Sequence, residues 1–156
     1  MSQLRGTDLV LDKVRARQHV ISGSGATRTL NANESGSLVL FDRAAGIVFT
    51  LPTAKPGTYF DFVVTTTITS NAAKVITAVG TELLIGSYTN VDTDTSNAVA
   101  VFTANGSTHV AVSMNGTTTG GILGTKIRFT CLSSTRWSID GDVLGSGTVA
   151  TAFATS

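Results

Sequence analysis

Residues 46–64 read "GIVFTLPTAKPGTYFDFVV". Ile47, Phe49 and Leu51 alternate onto one face, Pro52 cannot donate to a ladder, and Lys55-Pro56-Gly57 supplies a turn. A second alternating run follows, with Phe60, Phe62 and Val64 on one face and Tyr59, Asp61 and Val63 on the other. Strand, turn and strand is therefore the unit from which the chain is built. Phe60 and Phe62 are the expected core aromatics.

The same period of two recurs on both sides of this stretch. Leu38 and Leu40 share a face upstream, and Ala44-Ala45-Gly46 between them and Ile47 predicts a hairpin. Downstream, "AVAVFTA" and "HVAVSMN" flank Asn105-Gly106, which predicts a second hairpin because both residues tolerate positive φ. "NGTTTGGILG" reads as a flexible connection. "TKIRFTCLS" and "RWSIDGDVL" then form a last pair about Ser133-Ser134, with Ile127, Phe129, Cys131, Trp137 and Ile139 facing inward. About eight to ten short strands without helices predict an all-β fold, a single antiparallel, jelly-roll-like sandwich. Its expected extent is 19–145. No repeat of 20 to 50 residues is evident, which argues against a solenoid.

Composition narrows the function. With 156 residues, about two-thirds of the unfolded chain's surface can be buried, enough for one real core. Eleven Lys and Arg against ten Asp and Glu leave a net charge of +1. That gives no electrostatic case for nucleic acid or a membrane surface as a partner of the whole domain. Charged residues are only 13% and Thr is the commonest residue, while mean hydropathy is +0.26. Such a neutral exterior predicts cover by other chains. The lone Cys131 excludes an intrachain disulfide and a cysteine zinc site. An N-terminus without an apolar core segment predicts a soluble chain made in a cytoplasm.

Catalytic signals are absent. His19 and His109 are the only histidines, neither in a motif, and "GSGATRTL" at 23–30 resembles a phosphate loop only in its glycines. No enzyme, cofactor or small-molecule substrate is expected. "NVDTDTSN" at 90–97 offers alternating oxygens but lacks the Gly and closing Glu of a calcium loop, so Asp92 and Asp94 read as a solvated turn and no metal is expected. Trp137, with Tyr59 or Tyr88, could make a sugar platform, but its phase with Ile139 favours the core.

The ends differ from this body. Residues 1–18 form a basic arm holding four of the 11 cations, Arg5, Lys13, Arg15 and Arg17, with Leu9 and Leu11 able to add a short strand to a neighbour. These six are the candidate partner-binding residues. The tail 146–156 is small and uncharged, with Phe153 its one large side chain. Such ends pack on neighbouring chains or stay loose.

Thr50-Leu51-Pro52 before Pro56-Gly57, the aromatic strand Tyr59 to Val64, and Trp137 with Gly141 before Gly147, Ala150 and Phe153 together resemble the pattern of tailed-bacteriophage capsid decoration, or cement, proteins. The resemblance covers about residues 37–155. It implies a β-rich homotrimer made in the host bacterium's cytoplasm that sits on the virion's outer surface, binds the major capsid protein and reinforces the shell. The alternative within phage structural domains is a tail-fibre or receptor-binding module that takes carbohydrate. The resemblance transfers no catalytic residue and no contact residue.

Overall fold

The computed structural model describes residues 18–23, 25–94 and 98–156. All regular structure among them is β apart from one short turn of 3-10 helix at Ala32–Glu34. Six strands make up the first half: β1 (Val20–Ser22), β2 (Thr27–Thr29), β3 (Leu38–Phe41), β4 (Ile47–Thr50), β5 (Tyr59–Val64) and β6 (Ala73–Ile76). The second half holds β7 (Leu83–Asp92), β8 (Val99–Thr103), β9 (Ala111–Met114), β10 (Lys126–Ser133), β11 (Arg136–Gly145) and β12 (Phe153–Ala154). They form a seven-stranded sheet, β1-β3-β5-β10-β11-β7-β8, and a five-stranded sheet, β12-β9-β6-β4-β2.

The all-β expectation holds, but the antiparallel one does not. Five of the ten strand pairings are parallel. The first six strands alternate between the sheets, odd ones in the larger and even ones in the smaller, so the chain winds as three stacked coils. Val20 aligns with Leu38, Thr27 with Val48, Leu38 with Asp61 and Ile47 with Ala73, giving steps of 18, 21, 23 and 26 residues.

Two expected hairpins are therefore corrected. After Phe41 the chain crosses through 42–46 to β4 in the opposite sheet, and Phe41 meets Phe49 across the core with ring centroids 5.1 Å apart. Sheets stack about 10 Å apart, a gap that five extended residues span. At Asn105-Gly106 the turn also crosses. Asn105 Oδ1 accepts from the amides of Ser107, Thr108 and His109. His109 O then accepts from Leu84 N in one sheet while Val110 N donates to Ala154 O in the other. The tight side-chain turn is real, but it hands the chain between layers. The pair about Ser133-Ser134 is a true hairpin, β10 with β11.

Inward residues form one core. Ile21, Val39 and Phe62 lie in register across three strands, and Phe62 meets Phe49 at 5.6 Å and Phe129 at 5.4 Å. Phe60, Phe62, Phe129 and Trp137 share that core as expected. On β3 the buried pair is Val39 and Phe41, which leaves Leu38 and Leu40 half-buried on the outer face. The Gly-rich connection is tied down: Gly116 N donates to Gly120 O, and Ile68 N donates to Gly121 O. Gly116 sits at φ +80°, and a Cβ there would lie 1.8 Å from Ile68 O, so only glycine permits this approach. The C-terminal segment packs on its own chain, where β12 pairs with β9. Phe153 is buried between Tyr88, 5.0 Å away, and a stacked His109, 5.1 Å away.

Candidate docking faces

A sandwich buries one face of each sheet and leaves the other to solvent or partners. The two outer faces here differ in chemistry.

Across the seven-stranded sheet, Leu38, Asp61, Arg128 and Asp140 fall in one transverse row because their strands are in register. Arg128 grips Asp61 with both arms, Nε to Oδ1 at 2.5 Å and a terminal nitrogen to Oδ2 at 2.8 Å. Gln18 Nε2 adds a third donor at 2.8 Å. The hydrogen bond from Arg128 holds the Asp61 carboxyl below its usual range against the opposing pull of burial, and Asp61 in turn raises Arg128. The guanidinium also lies over the exposed Tyr59 ring, 5.1 Å from its centroid. A groove of about 310 Å³ runs here, with Lys126 and Asp140 in its walls. Charges of both signs meet in it and largely cancel. At the sheet's edge, Val99 and Val101 on β8 are 63% and 66% exposed.

The five-stranded sheet carries little charge outside. One row is Thr27, Val48, Lys74 and Ser113; the next is Thr29, Thr50, Ile76, Ala111 and Ala154. Lys74 is the one charged residue in these rows. A groove of about 440 Å³ lies over Thr27 and Val48, with Arg43 and Lys74 on its rim.

The residues singled out in the sequence fall in different places. Arg5, Leu9, Leu11, Lys13, Arg15 and Arg17 lie outside the described residues. Trp137 is fully buried, which removes it as a sugar platform, and its Nε1 donates to Glu82 Oε2 at 3.3 Å. Glu82 is itself buried, and its other oxygen accepts from Ala54 N at 2.8 Å. Sequence reading missed this carboxylate, whose only signal is an acidic residue at the head of the apolar run 83–85. Burial, and then the nearby Glu82 charge, pushes the Cys131 thiol up, so the thiolate is disfavoured. Burial likewise raises the Tyr88 hydroxyl, which accepts from Ala152 N.

Asp92 is buried rather than solvated: its Oδ1 accepts from Asp94 N, while Asp94 Oδ2 accepts from Gly147 N. The turn is thus knitted to the end of β11. No group of three or more His, Cys, Asp or Glu side chains gathers among the described residues. His19 and His109 stand apart, on Ser37 and on Phe153 respectively. No helix among the described residues is long and apolar enough to cross a membrane.

Comparison with known proteins finds no matching family model, no matching curated protein and no matching solved structure.

Proposed function

We propose that this chain is a structural virion protein that binds the outer surface of an icosahedral phage capsid as a cement and stabilises the shell. The observation that carries this reading is the outer face of the five-stranded sheet. It is extended, built of small and β-branched side chains, and its paired rows bear Lys74 as their one charge, with Arg43 beside them at the rim of the groove. Such a face is suited to contact with another protein surface rather than to chemistry. The phage-like pattern of residues 37–155 and the 13% charged content support the same reading. A cement works through many copies making moderate contacts, where avidity outweighs the affinity of one copy. Assembly as a homotrimer fits that use, with the basic arm as the tether to the major capsid protein.

Tyr59 is the feature that favours a carbohydrate-binding tail module, since it is an exposed aromatic beside a carboxylate. Its ring is already covered on one side by Arg128, which weakens that alternative. Removing residues 1–18 and measuring binding to virions that lack the protein tests the tether. Occupancy should collapse while the melting temperature stays within a few degrees of the full chain. Full occupancy by the truncated protein would leave the sheet face as the whole of the attachment and the arm without a tethering role.

A further inference from the structure

We propose that the groove on the outer side of the five-stranded sheet, where Arg43 and Lys74 flank Thr27 and Val48, binds an extended acidic segment of a partner protein. The proposal stands on the groove alone and does not depend on the virion reading.

Its sign is its first property. Both charged side chains lining it are cations. Arg28 and Arg128 each pair with a carboxylate, Glu34 and Asp61 respectively, whereas no hydrogen bond or ion pair engages the Arg43 side chain among the described residues, its carbonyl alone accepting from Gly46 N. Asp42, next in sequence, is turned away to accept from the Ser22 hydroxyl and the Gly23 amide. Lys74 Nζ donates to the main-chain oxygen of Ser156 at 3.0 Å, an exposed contact with the last residue that a bound acidic side chain would displace. The groove on the opposite sheet holds Asp61 and Asp140 as well as Lys126 and Arg128, so it has no such preference.

Rigid walls are its second property. Asn71 Nδ2 donates to Ala45 O at 3.1 Å and Thr69 N to Ala44 O at 2.8 Å, which ties the 42–46 crossing to the turn before β6. Gly46 packs so closely that a Cβ would lie 2.5 Å from Ala72 O. A preformed site costs less ordering on binding. Beside it, β2 is paired only with β4 among the described residues, and an open edge accepts an extended chain by strand addition. A segment that leaves that edge and lies across Thr27 and Val48 brings its carboxylates to Arg43 and Lys74. Two cations suit a short acidic segment; a phosphate backbone needs a longer track of them.

Titration of the isotope-labelled full chain with an alternating Glu–Val octapeptide, followed by amide NMR, tests this. Saturable shifts at Ala26, Thr27, Val48 and Lys74 are expected, and they should weaken as salt rises. The double variant R43Q/K74Q should bind about three- to ten-fold more weakly. R43E/K74E should instead take a Lys–Val octapeptide, with the amide of the core residue Phe129 unmoved as the check on folding. Unsaturable shifts, shifts centred elsewhere, undiminished binding by R43Q/K74Q, or a DNA duplex that shifts these amides at lower concentration than the peptide would each overturn the proposal.

Discussion

Strands β1 to β6 change sheet at every connection and stack in parallel, whereas β10 and β11 turn back within one sheet through Ser133 to Arg136. The coiled half and the hairpin half nevertheless share a core, because β10 pairs with β5 and Phe129 packs on Phe62 at 5.4 Å. In the coiled half the paired strands are never joined by a tight turn, so side chains reaching across the sandwich, Phe41 to Phe49 above all, act beside the parallel ladders. In the hairpin half, main-chain hydrogen bonds beside the turn do that work locally. The difference teaches that one alternating pattern can serve two modes of assembly, and that the connection decides between them.

If the halves are one cooperative unit, large truncations in either must lower a single transition. Phe129→Ala and Phe49→Ala should each cost about 3–5 kcal/mol through lost burial and the cavity left behind. Calorimetry should record one shifted peak in both variants. A second peak that keeps the parent's midpoint in Phe49→Ala would separate the halves.

A smaller effect probes the seam. Gly116 belongs to the hairpin half and rests on Ile68 of the coiled half. Gly116→Ala adds backbone strain and a clash with Ile68 O, and should cost at least about 2 kcal/mol in denaturant melts. An unchanged midpoint would mean that the seam yields.

The smallest effect concerns the charged bond between the halves, Asp61 on β5 with Arg128 on β10. Because the folded state holds the Asp61 pKa below its unfolded value, its contribution is complete above the ordinary carboxylate range, about 3.9. It is lost as pH falls through that range toward the folded-state pKa. Both side chains are partly exposed, so Asp61→Asn should cost no more than about 1 kcal/mol at neutral pH. The variant's deficit should vanish in acid. A deficit that persists at pH 2 would point to a packing role for Asp61.

How much of this could be read from residues alone follows the same division. Inward and outward faces were legible in both halves, since Phe60, Phe62, Phe129, Cys131 and Trp137 lie inside as their alternation demands. Sheet membership was not. Asn105-Gly106 carries the strongest hairpin signature in the chain, yet the side chain of Asn105 closes the turn without any strand pairing across it. The coils escaped repeat detection because their step grows from 18 to 26 residues, so no fixed period exists to be found. Arg43 and Lys74 stand 31 positions apart in sequence and meet at one groove only because β4 and β6 stack in parallel. The buried Glu82 gave no motif because its partners, Trp137 Nε1 and Ala54 N, come from distant strands and turns.

The central claim is that this block is an adhesive for a protein shell. Electron cryomicroscopy of the virions encoded with this chain, compared with virions lacking it, tests that claim most directly. The account predicts added density at repeated positions on the capsid exterior, together with a lower temperature of genome release when the density is missing. Density confined to the tail, or shells that release their genome at the same temperature with and without the protein, would contradict it.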